Sequence, residues 1–266
     1  MSVEISASLP AWQSPYQEER FFKDSEKVGF DCHEITIDGL RHFFYKSGDE
    51  YVAWEVSNYK PKTSPELPVS HIIHCLSQVD TYDNIDWREI AYATVFMSGY
   101  EKGAEKYSRR FRRGLAKAQK EHVRHSIAET DQQIAEVLEK FKGYPERRGF
   151  YDYDLFRDAS IQYLSSGLAS VHAVYINDPE YCLLGGAVVL SSPTQVNLRF
   201  YTADRTNHNP GHFLIDSIIK HYFEDESIAV VDLSGINPPA EDLKLDGINE
   251  FKLQISKRVA GFSPIR

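Results

Sequence analysis

From Val123 onward, the hydrophobic period switches between helix and strand in an order that few folds accommodate. Residues 123–128 read as a short strand. Thr130 then caps a helix, with Gln133 in the capping-box position, an apolar face of Ile134, Val137, Leu138 and Phe141, and Gly143 as its stop. A second helix over 153–164 turns Leu155, Phe156, Ala159 and Tyr163 inward and ends at Gly167. Strands follow at 169–176, 182–190 and 195–202, with turns at residues 177–179 and 191–193. An apolar helix over 211–223 leads to a buried strand at 228–233. A loop through Pro238 and Pro239, a helix near 248–257 and a strand ending near Phe262 complete the pattern. Two helices, an antiparallel meander and a helical crossover to a parallel strand make an α/β (α+β) domain: a mixed sheet with flanking helices.

The first hundred residues are strand-rich. Residues 30–37 alternate apolar and polar side chains, and Asp38-Gly39 offers a hairpin turn. Strands are expected at 40–45, 51–56 and 71–79, with a proline-containing loop over 60–68, while 87–97 fits a helix or a strand. Residues 102–122 read as one helix with an apolar stripe of Ala104, Tyr107, Phe111, Leu115 and Ala118. Gly114 inside it costs about 1 kcal/mol relative to alanine. The chain thus divides into 1–122, strand-rich and closing on a basic helix, and a domain over 123–266.

Charge narrows the partners. The 266 residues carry a net charge of −9, which argues against a dedicated duplex-DNA binder. Residues 101–124 nevertheless hold nine Lys or Arg against three Glu, an excess of six, so the remainder carries −15. A cationic strip on an acidic chain suits the holding of phosphates or carboxylates. No stretch approaches the roughly 18 apolar residues of a membrane span. Three widely spaced cysteines (Cys32, Cys75, Cys182) and the absence of a signal-like segment suggest a cytoplasmic protein whose thiols are buried apolar residues. His71, His74 and Cys75 superficially resemble metal-ligand spacing. No second cluster accompanies them and the two histidines of a strand would face opposite ways, so no metal is expected.

The loop Asp204 to His212 precedes a helix that starts with Pro210 and Gly211, a start whose N–H groups an anion can approach. An ordinary capped helix start fits the same residues. The order of elements matches the GNAT acyltransferase fold, in which the third meander strand and the strand after the crossover helix splay apart around an acyl donor. Residues 109–121, then Asp232-Leu233-Ser234-Gly235, then Gly247 to Lys252 resemble in sequence order the Fem branch of that superfamily. Its members transfer aminoacyl groups to peptidoglycan precursors. The Phe251-Lys252 pair is followed here by Leu253-Gln254 and not by the branch's aromatic-glycine, and no coiled-coil arm interrupts the helices. The strand pattern of 1–122 is compatible with a second, degenerate unit of the same kind.

The resemblance implies an N-acyltransferase that delivers an acyl group from a thioester or ester donor to a small-molecule or peptide amine, with no tightly bound cofactor. The acidic chain and missing arm favour acyl-CoA as co-substrate; the basic helix makes aminoacyl-tRNA the runner-up. Lys252 would offset charge on the carbonyl oxygen and Asp232 would take the amine's proton. Tyr201, Arg205, Asn209, Gly211 and His212 would bind the donor, and Arg109, Arg112 and Arg113 would clamp an acidic acceptor or the donor phosphates. Bland readings stand beside these: a snorkelling lysine, a carboxylate capping its own turn, a solvated helix face. A GNAT-like fold without catalysis, binding anions or RNA, is the competing expectation.

Overall fold

The structure is a computed structural model describing residues 14–47, 49–56, 67, 70–85, 95–103, 107–142, 152–177, 180–236 and 243–265. In chain order the elements are α1 (Glu19–Lys27), β1 (Cys32–Ile37), β2 (Leu40–Ser47), β3 (Glu50–Val56), β4 (His71–Thr81), β5 (Val95–Glu101), α2 (Arg109–Lys120), β6 (Arg124–Ile127), α3 (Asp131–Glu139), α4 (Tyr153–Ser165), β7 (Ala169–Asn177), β8 (Tyr181–Ser191), β9 (Gln195–Ala203), α5 (Pro210–Phe223), β10 (Val230–Gly235), α6 (Leu243–Ile255) and β11 (Arg258–Ile265). They form a mixed α/β fold. Two compact units share the chain: one comprises Met1–Glu105, Ser192–Asn197 and Ser227–Arg266, the other Lys106–Ser191 and Leu198–Glu226.

The first unit is built on the strand order β1-β2-β3-β4-β11-β5-β10, followed by the opening residues of β9. Asp38 and Gly39 both take positive φ (52° and 78°), so the β1–β2 hairpin closes through the expected two-residue turn, with Ile37 opposite Leu40. β3 runs parallel to β4, and β10 parallel to β9 over three pairs, Val230–Gln195, Val231–Val196 and Asp232–Asn197. Phe44, Ala53, Val56, Ile73 and Cys75 form one core cluster; Val230, Ala260 and Phe262 form another. α1 is a helix that strand-dominated reading of this region does not anticipate. It buries Phe21 and Phe22 against Phe43 and Tyr45, and an exposed Glu19–Lys23 pair at 2.6 Å lines its outer face.

The second unit orders its strands β9-β8-β7-β6. Here the expected local signals operate. Thr130 Oγ1 accepts the Gln133 N–H, the Gln133 side chain accepts the Thr130 N–H, and Gly167 ends α4 at φ 70°. Val137, Leu138, Phe141, Phe156, Val171, Val188 and Phe200 make the core. Gly185 and Gly186 permit two close approaches: a Cβ on the first would lie 2.3 Å from the Thr202 carbonyl oxygen, and on the second 2.4 Å from Val137 Cγ1.

Several boundaries differ from expectation. The helix expected over 102–122 begins at Arg109, because the Ser108 hydroxyl accepts the Phe111 N–H and because Lys102 and Gly103 (φ 81°) form a turn. α6 begins five residues before the expected 248. Cys182 is exposed and Cys32 half-buried, so only Cys75 is the buried apolar thiol expected of all three. Gly143, Ala104, most of 60–68 and 87–94, Asp178-Pro179 and Pro238-Pro239 lie outside the described residues.

Candidate functional site

In the first unit, polar chemistry gathers where the apolar strand β10 runs out. Asp232 pairs with Gly99 of β5, but the next pair is Gly235–Met97, so β10 carries one residue more than its partner between these rungs. That bulge places Ser234 in the left-handed region at φ 66°, a conformation costing a non-glycine residue about 1–3 kcal/mol. The turn aims the Ser234 N–H back at Asp232 Oδ1, 2.7 Å away. Across the parallel ladder, Gln195 and Asn197 lie two residues apart and present the same face. Asn197 Nδ2 donates to Asp232 Oδ2 at 2.5 Å and Gln195 Nε2 to the same oxygen at 3.4 Å. Tyr16 OH donates to Asn197 Oδ1 at 3.4 Å.

Asp232 is fully buried. Burial raises its carboxyl from the usual range to about 6, against the pull of the Ser234 N–H, Asn197 and the Lys252 ammonium. Lys252, from α6, is also buried and donates to the Gly235 carbonyl. A carboxylate has about four lone-pair sites. Oδ2 accepts two of the three donors named here and Oδ1 one, leaving Oδ1 the better placed to take a proton.

In the second unit, the loop into α5 is held at its first residue, Asp204. Asp204 N donates to the Leu184 carbonyl at 2.7 Å, and Lys140 reaches the Asp204 carboxylate at 2.8 Å. Asn209 sits at φ 51°, ψ 47° with no side-chain cap bond, and Pro210 occupies the first turn. The Asn209 side chain thus does not cap the helix; the His212 N–H donates to the Asn209 carbonyl at 3.1 Å instead. Gly211 and Tyr201 are half-buried, and Arg205 is exposed in the loop.

α2 packs against α5, and Gly114 explains how. A Cβ there would lie 2.5 Å from His212 Cδ2, so the glycine makes room for the imidazole, which also meets the Phe111 ring at 5.0 Å. Burial, helped by Arg110, pushes the His212 pKa down. His212 is thus a neutral packing residue between two helices. Arg109, Arg112 and Arg113 are exposed on α2. All three stand in the first two turns, where the helix dipole disfavours cations, and no acidic side chain accompanies them there.

The structure therefore gathers Asp232 and Lys252 in one unit, and Arg109, Arg112, Arg113, Arg205, Asn209, Gly211, His212 and Tyr201 in the other. Sequence reasoning passed over Gln195, Asn197 and Ser234. Two polar residues at alternate positions of the strand expected over 195–202 were the available signal. It also passed over a chain around the buried His172 in the second unit: His125 Nε2 to His172 Nδ1 at 2.9 Å, and His172 Nε2 to Ser170 Oγ at 2.9 Å, with Tyr222 OH beside Ser170. Among the described residues, no group of three or more His, Cys, Asp or Glu is placed to hold a metal ion. No described helix is long and apolar enough to cross a membrane.

Among solved structures, the chain is similar to FemX, with a TM-score of 0.59 at 13% identity over 94% of this chain and 91% of that one. A conserved protein of unknown function from Bacteroides thetaiotaomicron VPI-5482 gives 0.56 at 11% identity, covering 93% and 92%. L-PGS from Bacillus licheniformis gives 0.53 at 10%, covering 92% and 90%. At such identities the likeness is one of fold. No curated protein matches the chain. The family model described as an acetyltransferase (GNAT) domain matches residues 105–252, a span that opens just before α2 and closes on Lys252. It takes in more than half of the sequence, and the chain belongs to the GNAT acyltransferase family.

Proposed function

We propose that this protein is an N-acyltransferase that moves an acyl group from a thioester donor directly to an amine, with Asp232 as general base and Lys252 as the cation facing the developing oxyanion. The observation that carries this reading is the buried Asp232, raised to about 6 and electrostatically balanced by a buried lysine. A carboxylate in that range is still ionised at neutral pH yet basic enough to take a proton from an amine as it attacks. The amine nitrogen forms a bond to the acyl carbon, the carbonyl electrons move onto oxygen beside Lys252, and the carbon–sulfur bond breaks as the tetrahedral adduct collapses. The proton taken by Asp232 leaves with the thiolate, giving an amide and a thiol. Lys252 contributes where charge develops, which is the condition for catalysis as distinct from binding.

The α5 start and Arg109, Arg112 and Arg113 are assigned to the donor phosphates, with Arg205, Asn209, Gly211 and Tyr201 around them and His212 as the spacer that sets the α2–α5 approach. A helix start that the Asn209 side chain does not cap supports this assignment, as do the cations at an unfavourable helix end. Acyl-CoA is the preferred donor. A panel of acyl-CoA thioesters and aminoacyl-tRNA, each followed by melting temperature and by transfer to a set of amines, tests the reading. A donor at 100 times its Kd adds about 2.7 kcal/mol of stability. Stabilisation by acyl-CoA with amide formation lost in Asp232→Asn supports it. Stabilisation by tRNA alone, falling steeply with salt, assigns the donor to the nucleic acid instead. Binding without transfer to any amine rejects the enzyme.

A further inference from the structure

We propose that Asn197 is the positioning residue of the Asp232 site, held with its amide the right way round by the hydroxyl of Tyr16. The inference rests on reading Asp232 as the general base and adds the device that aims it. Asn197 is buried at the last rung of the β9–β10 ladder, and its side chain has one face toward each of two groups. Its NH2 lies 2.5 Å from Asp232 Oδ2 and its Oδ1 lies 3.4 Å from Tyr16 OH. An amide is nearly symmetric in shape, so packing alone does not choose between this orientation and the reverse. The reverse would set the amide oxygen against the carboxylate, favouring a protonated Asp232 that donates. In the orientation seen, the Tyr16 hydroxyl donates to Asn197 Oδ1 while the amide NH2 donates to the carboxylate, so both bonds are made with Asp232 ionised, and Asp232 Oδ1 accepts the Ser234 N–H.

The hydroxyl is not needed to dock the segment that carries it. Gln17 Nε2 donates to the carbonyls of Trp54 (3.1 Å) and Phe43 (3.3 Å), and Gln17 Oε1 accepts the Phe43 N–H. Tyr45 OH donates to the Tyr16 carbonyl at 2.8 Å. The Tyr16 ring packs edge-on against Phe21, with centroids 5.2 Å apart. With backbone and ring held by these contacts, the bond to Asn197 is separable from the stability of the segment.

The test is the titration of Asp232 in the full chain, read by carbon NMR of aspartate labelled at the side-chain carboxyl. The Asp232 signal is assigned by its loss in Asp232→Asn, and no substrate is required. Removing a hydrogen bond to the ionised form favours the protonated one. Asn197→Leu is expected to raise the titration midpoint by about one pH unit, the scale of one charge-assisted hydrogen bond. Tyr16→Phe, which keeps the ring and its packing, is expected to raise it in the same direction by less, because the freed amide can turn. A midpoint unchanged in Tyr16→Phe overturns the orienting role, and one unchanged in a folded Asn197→Leu overturns the proposal as a whole. If Asn197→Leu does not fold, Tyr16→Phe decides alone. Failure of acyl transfer altogether is a separate result, visible only in the donor–amine assay.

Discussion

Burial acts on two polar clusters of this molecule in opposite directions. In the first unit, desolvation lifts the Asp232 carboxyl into the range where it can exchange a proton near neutrality, and the Ser234 N–H, Asn197 and, least of the three, the Lys252 cation keep it from rising further. In the second, desolvation drives His172 down to about 3 and His125 to about 4, out of that range, with His125 and His221 adding to the fall of His172 and His221 to that of His125. The same physical cost, loss of water around a charge, makes a carboxyl group useful and silences a histidine. Proton exchange near neutrality is thus open to the carboxylate, whereas the histidines with Ser170 and Tyr222 form a neutral, part-buried hydrogen-bonded chain.

The widest separation between the two clusters should be catalytic. Asp232→Asn is expected to lower kcat by about 10²–10⁴-fold, and His172→Gln by less than twofold in any folded preparation; comparable losses in both would break the contrast. Lys252→Met should cost about 10²–10³-fold in kcat, mostly without raising KM, as befits a group acting on the transition state. The pH profile follows next. With the base at about 6, the rate at a fixed concentration of unprotonated amine should be flat above pH 7 and fall about tenfold per unit below 6, and a limb near 4 would point to some other group.

Acid stability gives the smallest of these effects and tests the histidine side. An unfolded histidine binds its proton near pH 6.5, whereas folded His172 waits until about 3. The unfolded chain thus binds more protons between these values, so stability falls as pH falls through that window. At pH 5 the contribution of His172 is about 2 kcal/mol, with a smaller share from the partly solvated His125. Urea unfolding from pH 7 to 5 measures it, and the slope should flatten in His172→Gln. An unchanged slope would show that the imidazole is not buried neutral.

Much of the fold was legible because local signals and tertiary packing agree. The Thr130–Gln133 box, the inward Phe156 and Tyr163 of α4, and the Pro210 start of α5 each declare themselves within a few residues. α1 was not legible: nine residues with two adjacent phenylalanines, beside alternating strands, give helix periodicity little to work on. Of the candidate site, Asp232 and Lys252 could be singled out because each stands in a short run that resembles the family's. Asn197 acquires its meaning from a partner 35 residues away, and His125 from one 47 residues away. Strand pairing creates those meetings, and no local pattern announces which strands will pair.

β11 lies between β4 and β5, antiparallel to both, though it follows β5 by more than 150 residues. During synthesis at about 5–20 residues per second, the facing edges of those two strands must wait, their hydrogen-bonding groups bare, until the ribosome has delivered the strand that separates them. Such edges are templates for wrong partners. In a nascent chain of this design the first unit still lacks its central strand when the second is complete at Glu226.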